Sequence, residues 1–265
     1  MTDTEVADWW GTAVSRIEPD HIELRGIPVQ DLIGTTGFAA MVWLMLRGSR
    51  PDQAQARLLE AALVAGVDHG PHAPSIAVAR IAATCGVGIN NAMASAINTL
   101  GDSHGGAGQE CVELLTEIVD GTTDSATAQD IAETAAEVVA AWRARGIRYL
   151  PGFGHRFHTR DPRRDPLLTL VDEAAAAGVV RGSFVAAARA VEVVLARGRA
   201  TPVPMNIDGA TAVVYAELGF PAPLARGLFV LSRSVGVLAH AWEEMGQGRR
   251  NKGPVPPAVR PTYLG

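Results

Sequence analysis

Apolar segments with the spacing of an α-helix, each closed by a glycine, recur along most of this 265-residue chain. In the clearest of them, Ile131, Val138 and Trp142 share one face while Glu133 and Arg143 lie on the opposite face, which is the pattern of an amphipathic helix. A glycine after such a segment favours a helix end because it adopts left-handed backbone angles without strain. Further helices are predicted on the same grounds over residues 36–46, 51–66, 167–177, 183–197, 211–218 and 224–245.

The composition agrees with a nearly all-α chain. Hydrophobic residues make up 48% and aromatic residues only 5%, so we expect helices that meet through small side chains. Residues 22–33, with Arg25 and Gly26 at their centre, are the only plausible sheet segment, a short hairpin. A chain of this length suits one large domain or two modest domains that share a cleft, and we expect two.

Charge and cysteine content exclude several classes of protein. The net charge of -5 argues against nucleic-acid binding, which needs a basic domain. Cys85 and Cys111 show no metal-ligand spacing and do not make a disulfide scaffold, and residues 1–10 lack the features of a signal peptide. The longest apolar stretch, residues 227–242, is interrupted by Arg233 and is too short for a bilayer span. We therefore expect a cytoplasmic protein without membrane contact.

Residues 151–166, P-G-F-G-H-R-F-H-T-R-D-P-R-R-D-P, combine a histidine with a cluster of arginines. His155 follows a glycine turn, and after it come Arg156, Arg160, Arg163 and Arg164. Guanidinium groups bind carboxylates and phosphates through paired hydrogen bonds, and an imidazole exchanges protons near neutral pH. The segment predicts an anion site beside an acid/base group, with a solvated basic face as the alternative for the arginines.

Two other segments place one titratable group between small residues. In G-D-S-H-G-G, residues 101–106, the glycines after His104 allow a ligand to approach the imidazole closely. In M-N-I-D-G-A, residues 205–210, Asp208 lies directly ahead of an apolar helix. Both groups are candidates for acid/base chemistry, and a helix N-cap is the structural alternative for Asp208.

Three further residues bear on ligand binding. Arg233 lies within an apolar helix, so it needs a buried partner or a bound anion to offset its desolvation. His69 and His72 could form a metal pair, but Gly70 and Pro71 between them disfavour the continuous helix that would set the geometry. We therefore expect no metal site.

With these segments assembled, the chain resembles the citrate synthase superfamily, and within it the short citryl-CoA lyase-like members. Residues 101–110 are similar to the H-G-G-A-N-E motif of that family, residues 152–163 to its G-x-G-H…D-P-R motif, and residues 206–209 to its N-V-D motif. The likeness extends to V-D-H-G-P-H at 67–72, L-S-R-S-V-G-V-L-A-H at 231–240 and the terminal Arg260-Pro261. It covers almost the whole chain in the correct order.

The resemblance implies an all-α, citrate synthase-like fold and a role for each matched residue. It implies a large domain at 1–105 plus 206–265, an inserted small domain at 106–205, and an active site in the cleft between them. The implied catalytic residues are His104, His155 and Asp208. The implied ligands of the substrate carboxylates are His69, Arg163, Arg233 and Arg260, with Arg260 acting across a homodimer interface. The implied contacts to coenzyme A are Arg160, Gly152, Phe153 and Gly154.

The resemblance also implies a reaction. The first expectation is cleavage of (3S)-citryl-CoA to acetyl-CoA and oxaloacetate through an enolate, with no metal and no permanently bound cofactor, the coenzyme A thioester being the substrate. His104 would donate a hydrogen bond to the enolate oxygen, while Asp208 and His155 would move protons. The alternatives are a citrate or 2-methylcitrate synthase and a non-catalytic acyl-CoA-binding helical dimer. The chain departs from the family at Gly108, where asparagine is usual, and in its short length.

Overall fold

The computed structural model describes residues 1–123, 125–155, 159–256 and 258–265. The chain divides into two compact units, Met1–Glu60 and Ala61–Gly265. The small domain expected at 106–205 would divide the second unit further, and this boundary stays a prediction.

The first unit contains a small antiparallel sheet and three helices. Its elements are α1 (Asp3–Trp9), β1 (Ser15–Glu18), β2 (His21–Leu24), β3 (Ile27–Pro28), α2 (Val29–Leu32) and α3 (Phe38–Arg47). The strands pair in the order β1-β2-β3, so the sheet predicted over 22–33 exists but begins earlier and ends at Pro28. Arg25, at φ 51°, makes the second turn together with Gly26. Its guanidinium donates to the carbonyl of Met45 at 2.6 and 2.9 Å, which ties the turn to the end of α3.

Helices account for the remaining regular structure. They are α4 (Gln53–Gly66), α5 (Pro74–Thr84), α6 (Ile89–Ile97), α7 (Ala107–Asp120), α8 (Ala128–Ala144), α9 (Arg164–Ala176), α10 (Ser183–Ala196), α11 (Ile207–Glu217) and α12 (Ala222–Gly246). The predicted all-α class is confirmed, and most predicted helix ends lie within a few residues of the observed ones. Gly48 adopts the left-handed angles expected of a helix stop, at φ 78°.

The core of the second unit is built from small side chains. Helices α5, α6 and α12 pack on one another through a cluster made of Ala73, Ile76, Ala79, Ala92, Ala96, Val237 and Ala241. Helix α11 is buried along almost its whole length and packs against α7, α9 and α10. Small side chains such as alanine let the helix axes approach closely. This close packing fixes the relative positions of the loops that join the helices.

Helix α12 carries the longest apolar run. Among the described residues it is the one helix long and apolar enough to cross a membrane by length and composition. It packs against α5, α6 and α7, and it buries two charged residues, Arg233 and Glu244. The carboxylate of Glu244 is held by Arg80 at 2.6 Å and by Lys252 at 3.1 Å. Helix α12 is therefore a core helix, as the sequence predicts, and its apolar residues pack against neighbouring helices.

The start of α10 is held by a carboxylate from the end of α11. Glu217 accepts hydrogen bonds from the backbone N–H groups of Gly182, Phe184 and Val185 at 2.9, 2.8 and 3.0 Å. The first N–H groups of a helix have no partner within the helix, and a negative charge at this end also interacts favourably with the helix dipole. Glu217 therefore fastens α10 to α11.

Replacement of this carboxylate is expected to destabilise the fold. Glu217→Ala leaves three backbone donors without their acceptor, and we expect the free energy of unfolding to fall by about 2 kcal/mol. Chemical denaturation followed by circular dichroism measures the change. Glu173→Ala, which removes an exposed carboxylate from α9, is the matched control. Equal effects of the two substitutions would contradict the capping role.

Candidate active site

A cavity of about 1090 Å³ lies within the second unit and gathers most of the predicted site residues. Seven of them line it, namely His69, His104, Phe153, Gly154, His155, Asp208 and Arg233. The segments that supply these residues are loops or helix starts, apart from Arg233, which comes from the middle of α12. Residues that are far apart in sequence thus converge on one space.

Asp208 lies in the first turn of α11 and is not the helix cap. The side chain of Asn206 occupies that position, and its Oδ1 accepts from the backbone N–H groups of Asp208 and Gly209 at 2.9 and 3.2 Å. The capping interpretation of Asp208 is therefore wrong. Burial raises the pKa of the Asp208 carboxyl; the charges of Arg233 and Arg163 oppose this shift without reversing it.

The loop that carries His155 is joined to the start of α11 by an unusually close backbone approach. A Cβ at Gly152 would lie 2.8 Å from the Cα of Gly209, and a Cβ at Gly209 would lie 2.4 Å from the carbonyl oxygen of Gly152. Asn206 completes the junction: its backbone N–H donates to Gly152 at 2.9 Å and its side chain donates to the carbonyl of Gly154 at 2.7 Å. Glycine at 152 and 209 is therefore a steric requirement for placing His155 beside Asp208.

The imidazole of His104 has a defined tautomer. Its Nε2 lies 3.1 Å from the backbone nitrogen of Ser75 and 3.0 Å from the Ser75 hydroxyl oxygen. Because a backbone N–H can only donate, Nε2 must be the acceptor, and the ring proton is then on Nδ1. Burial lowers the pKa of His104, and the charge of Arg233 lowers it further. His104 is therefore a neutral imidazole whose Nδ1–H can donate to a ligand.

His69 and His155 meet edge to face, with ring centroids 5.2 Å apart and planes at 77°. Burial lowers the pKa of His69, and the charges of Arg163, His155 and Arg233 lower it further. At neutral pH the pair therefore includes a neutral His69 that can offer an N–H donor to a carboxylate oxygen.

Arg163 is not part of the cavity lining, and Asp161 holds its side chain. The buried Asp161 carboxylate accepts from Arg163 Nε at 2.9 Å and from Nη2 at 2.8 Å, and it also accepts from the backbone N–H of Ile207 at 3.1 Å. Burial raises the pKa of Asp161, but the hydrogen bonds and charge of Arg163 outweigh it and the net shift is downward. The pair thus connects the predicted D-P-R segment to the start of α11.

Arg233 is only 3% exposed and lies in the cavity wall. Its Nε donates to the carbonyl of Gly66 at 3.2 Å, and its guanidinium carbon lies 4.9 Å from the centre of the Phe229 ring. Burial lowers the pKa of Arg233, and the charges of Asp208 and Asp68 oppose that shift. The sequence predicts a buried partner or a bound anion for Arg233; the contacts found are the carbonyl of Gly66 and the Phe229 ring, with Asp208 and Asp68 near enough to act on its charge.

Four predicted residues lie outside the described lining of the cavity. Gly152 lies against Gly209, Arg163 is paired with Asp161, and Arg160 is exposed with Nη2 2.5 Å from Asp165. Arg260 is exposed in the C-terminal tail of this single chain. Its role across a dimer interface and the role of Arg160 toward coenzyme A stay predictions.

The other two arginines of the 151–166 segment have different outcomes. Arg164, expected on a solvated face, is instead largely buried and paired with Glu192, with Nε 2.9 Å from Oε1. Arg156 lies outside the described residues. At Gly108, the departure from the family motif, an added Cβ would have the carbonyl oxygen of Asp208 as its neighbour at 3.8 Å, so the position lies beside the start of α11.

Sequence reasoning missed a group of basic residues that line the same cavity. Arg143, near the end of α8, Arg148, in the loop after α8, and Arg199, after the end of α10, belong to the lining together with the exposed Tyr149. The guanidinium carbon of Arg148 lies 5.4 Å from the centre of the Tyr149 ring. Helices α8 and α10 pack side by side, which brings their ends together. The only sequence signal is the arginines at or after the ends of these two helices. It indicates a binding site only once the two helices are known to pack side by side.

The chain is similar to proteins of a known family. Residues 35–262 match the family described as the C-terminal domain of citrate synthase. The chain is 31% identical over 218 residues to a citrate synthase from Acidithiobacillus ferridurans, a match that covers 80% of this chain and 52% of that protein. It therefore spans about half the length of the curated relatives that it matches.

Two solved structures are similar to the chain over nearly its whole length. The citryl-CoA lyase from Hydrogenobacter thermophilus is similar with a TM-score of 0.82 and 27% identity, over 97% of this chain and 94% of that one. The ATP citrate lyase from Methanosaeta concilii, solved in complex with (3S)-citryl-CoA, has a TM-score of 0.77 and 18% identity, over 100% of this chain and 45% of that one. At that identity the second likeness concerns the fold alone.

The His104 tautomer can be tested directly. With ¹⁵N-labelled histidine, we expect the Nε2 of His104 to give the signal of an unprotonated ring nitrogen and Nδ1 that of an N–H at neutral pH, because Ser75 donates to Nε2. The spectrum of His104→Asn assigns the signal by its loss. A doubly protonated His104 at neutral pH would contradict the assignment.

Proposed function

The chain belongs to the citrate synthase family, and on that premise we propose that it cleaves (3S)-citryl-CoA to acetyl-CoA and oxaloacetate. The observation that carries the proposal is the convergence of a neutral His104, a buried Asp208 with a raised pKa and a buried Arg233 on one cavity. The match along nearly the full length of a citryl-CoA lyase supports this reaction over condensation.

The chemistry of cleavage assigns a task to each catalytic group. His155 accepts the proton of the citryl hydroxyl, the adjacent carbon–carbon bond breaks, and the hydroxyl carbon becomes the keto carbon of oxaloacetate. The bond electrons form an enolate on the thioester side, where His104 Nδ1–H donates to the oxygen. Asp208 then delivers a proton to the terminal carbon, which becomes the methyl group of acetyl-CoA. The raised pKa of Asp208 favours the protonated carboxyl that this last step needs.

Cationic and donor groups in the cavity suit the carboxylates of the substrate. In the wall, Arg233 supplies a buried positive charge and His69 an imidazole donor, and the positive charge of Arg163 acts on His69 from outside the lining. Guanidinium groups bind carboxylates strongly when water is excluded. In the complete proposal the protein is a cytoplasmic homodimer, and Arg260 reaches the carboxylates of the neighbouring subunit's site.

The basic group formed by Arg143, Arg148 and Arg199 suits the other end of a coenzyme A thioester. These side chains are exposed, unlike the buried Arg233, so they can meet phosphate groups without a large desolvation cost. The exposed Tyr149 ring offers a flat apolar surface beside Arg148. We infer that this group holds the phosphates, in addition to the glycine loop predicted from the sequence.

A synthase that condenses an acyl-CoA with oxaloacetate to give citrate or 2-methylcitrate is the second candidate. The observation that favours it is the 31% identity to a citrate synthase. Both reactions use the same three catalytic residues, and they differ in whether the thioester is hydrolysed after bond formation.

One assay separates the two reactions. The purified protein is mixed with citryl-CoA and, separately, with acetyl-CoA plus oxaloacetate, while oxaloacetate, the thioester and free thiol are followed. We expect cleavage of citryl-CoA without thiol release. Thiol release in the second mixture would replace the lyase by the synthase, and absence of turnover in both would favour the non-catalytic acyl-CoA-binding dimer.

In the same assay, Asp208→Asn is expected to reduce kcat by about 10³-fold, because the amide cannot deliver the proton. Asp172→Asn, on the exposed side of α9, is the matched control and should retain full activity. Circular dichroism checks that both variants are folded. A fully active Asp208→Asn would remove this residue from the mechanism.

Substitution of Arg148 or Arg199 should weaken binding of the coenzyme A part of the substrate. We expect Arg148→Ala and Arg199→Ala each to raise the KM for the coenzyme A thioester about tenfold, with a smaller difference at high ionic strength because salt screens exposed charges. Arg189→Ala, an exposed arginine of α10 paired with Asp172, is the control. If the KM values of all three variants equal that of the wild type, the phosphates bind elsewhere.

A further inference from the structure

Helix α12 contacts the chain directly before His69 at successive points along one stripe. Arg233 Nε donates to the carbonyl of Gly66 at 3.2 Å. A Cβ at Gly236 would lie 2.2 Å from the carbonyl oxygen of Val67, so only glycine fits there. One turn further, His240 Nε2 lies 3.2 Å from Asp68 Oδ2.

These three positions of α12 share one face because they are three and seven residues apart. Their partners are three consecutive residues, 66–68, and the next residue is His69. The segment from the end of α4 to the start of α5, residues 67–73, has no regular secondary structure. Its conformation therefore depends on contacts with neighbouring elements.

The hydrogen-bond direction at His240 follows from its second nitrogen. Nδ1 lies 3.1 Å from Nη1 of Arg80, and a guanidinium can only donate. Nδ1 is therefore the acceptor, and the ring proton is on Nε2, where it donates to Asp68. Arg80 is itself fixed by the buried Glu244, at 2.6 Å from Nη2, and by Glu243, at 2.5 Å from Nη1.

Asp68 links the contact with His240 to His69. Burial raises the pKa of its carboxyl, yet the opposing contributions, of which the hydrogen bond from His240 is the largest, leave it lowered. His240 holds Oδ2, whereas Oδ1 is buried with no hydrogen-bond partner among the described residues. Because Asp68 directly precedes His69 in the chain, a displacement of Asp68 also displaces the backbone of His69.

We propose that His240 is a positioning residue: oriented by Arg80, its Nε2–H holds Asp68 and thereby fixes the His69 imidazole in the cavity. The expected effect on substrate binding rests on the proposed function, in which His69 holds a carboxylate of the substrate. The expected effect on the position of the His69 side chain is independent of that function.

The test uses the full-length protein and three variants. His240→Ala removes both hydrogen bonds. His240→Gln keeps an N–H donor near the position of Nε2 and an amide oxygen that can accept from Arg80. His21→Ala removes a histidine of the first unit that contacts Arg16 and Glu23 and serves as the control.

Two measurements are made on each variant. The first is the Cε1–H resonance of His69 in a histidine NMR spectrum, assigned by its absence in His69→Asn. The second is the division of any activity change between KM and kcat. In His240→Ala we expect a shifted or broadened His69 resonance and a KM for the carboxylate-bearing substrate about tenfold higher, with a much smaller change in kcat. His240→Gln should restore most of both values, and His21→Ala should change neither.

Two results would overturn the proposal. In the first, His240→Ala lowers the melting temperature but leaves the His69 resonance and KM as in the wild type, which would make the contact merely structural. In the second, His240→Gln is as impaired as His240→Ala, which would exclude the hydrogen bond to Asp68 as the cause. If alanine at position 240 prevents folding, His240→Asn, whose amide is too short to reach Asp68, carries the same test.

The NMR measurement keeps this proposal separate from the proposed function. If the wild-type protein catalyses neither cleavage nor condensation, the proposed function fails, and the His69 resonance alone decides the role of His240. If the wild type is active and the resonance does not respond to His240→Ala, the positioning role fails while the function stands.

Discussion

The site depends on one steric constraint, the close approach of Gly152 and Gly209. Neither residue has room for a Cβ, since each would place it less than 3 Å from the backbone of the other. This approach lets Asn206 bond to Gly152 and Gly154 on one side while it caps α11 on the other. The loop of His155 and the helix of Asp208 are thereby held as a single rigid piece.

Burial shifts the pKa values of three side chains in the cavity around that piece. It raises the pKa of Asp208 and lowers the pKa values of His104 and His69, so each of these side chains is pushed toward its neutral form. Arg233 and Arg163 supply the positive charge of the site. In the proposed function, the arginines hold the carboxylates of the substrate, and these neutral groups exchange protons beside them.

The sequence allowed prediction of the fold class and of seven residues that line the cavity, because short motifs with glycine next to a titratable group are recognisable without knowledge of packing. Its limits have physical causes. The cap alternative for Asp208 arose because the sequence cannot show that Asn206, two residues earlier, already occupies that position. The role of Arg160 toward coenzyme A, which the family resemblance implies, stays a prediction, and in space Arg160 is exposed and paired with Asp165. Arg143 and Arg199 were missed because only the packing of α8 on α10 brings them together.

The contacts of α12 with residues 66–68 also determine which changes of length the chain can tolerate. Each residue added to or removed from a helix rotates everything beyond it by about 100°. A one-residue deletion between Arg233 and His240 would leave Arg233 on Gly66 but turn His240 away from Asp68. A deletion after Glu244 would leave Gly66, Val67 and Asp68 in contact with the same three residues. These contacts therefore tolerate a change of length at the end of this helix, whereas the seven-residue separation of Arg233 and His240 cannot change without changing the loop of His69 as well.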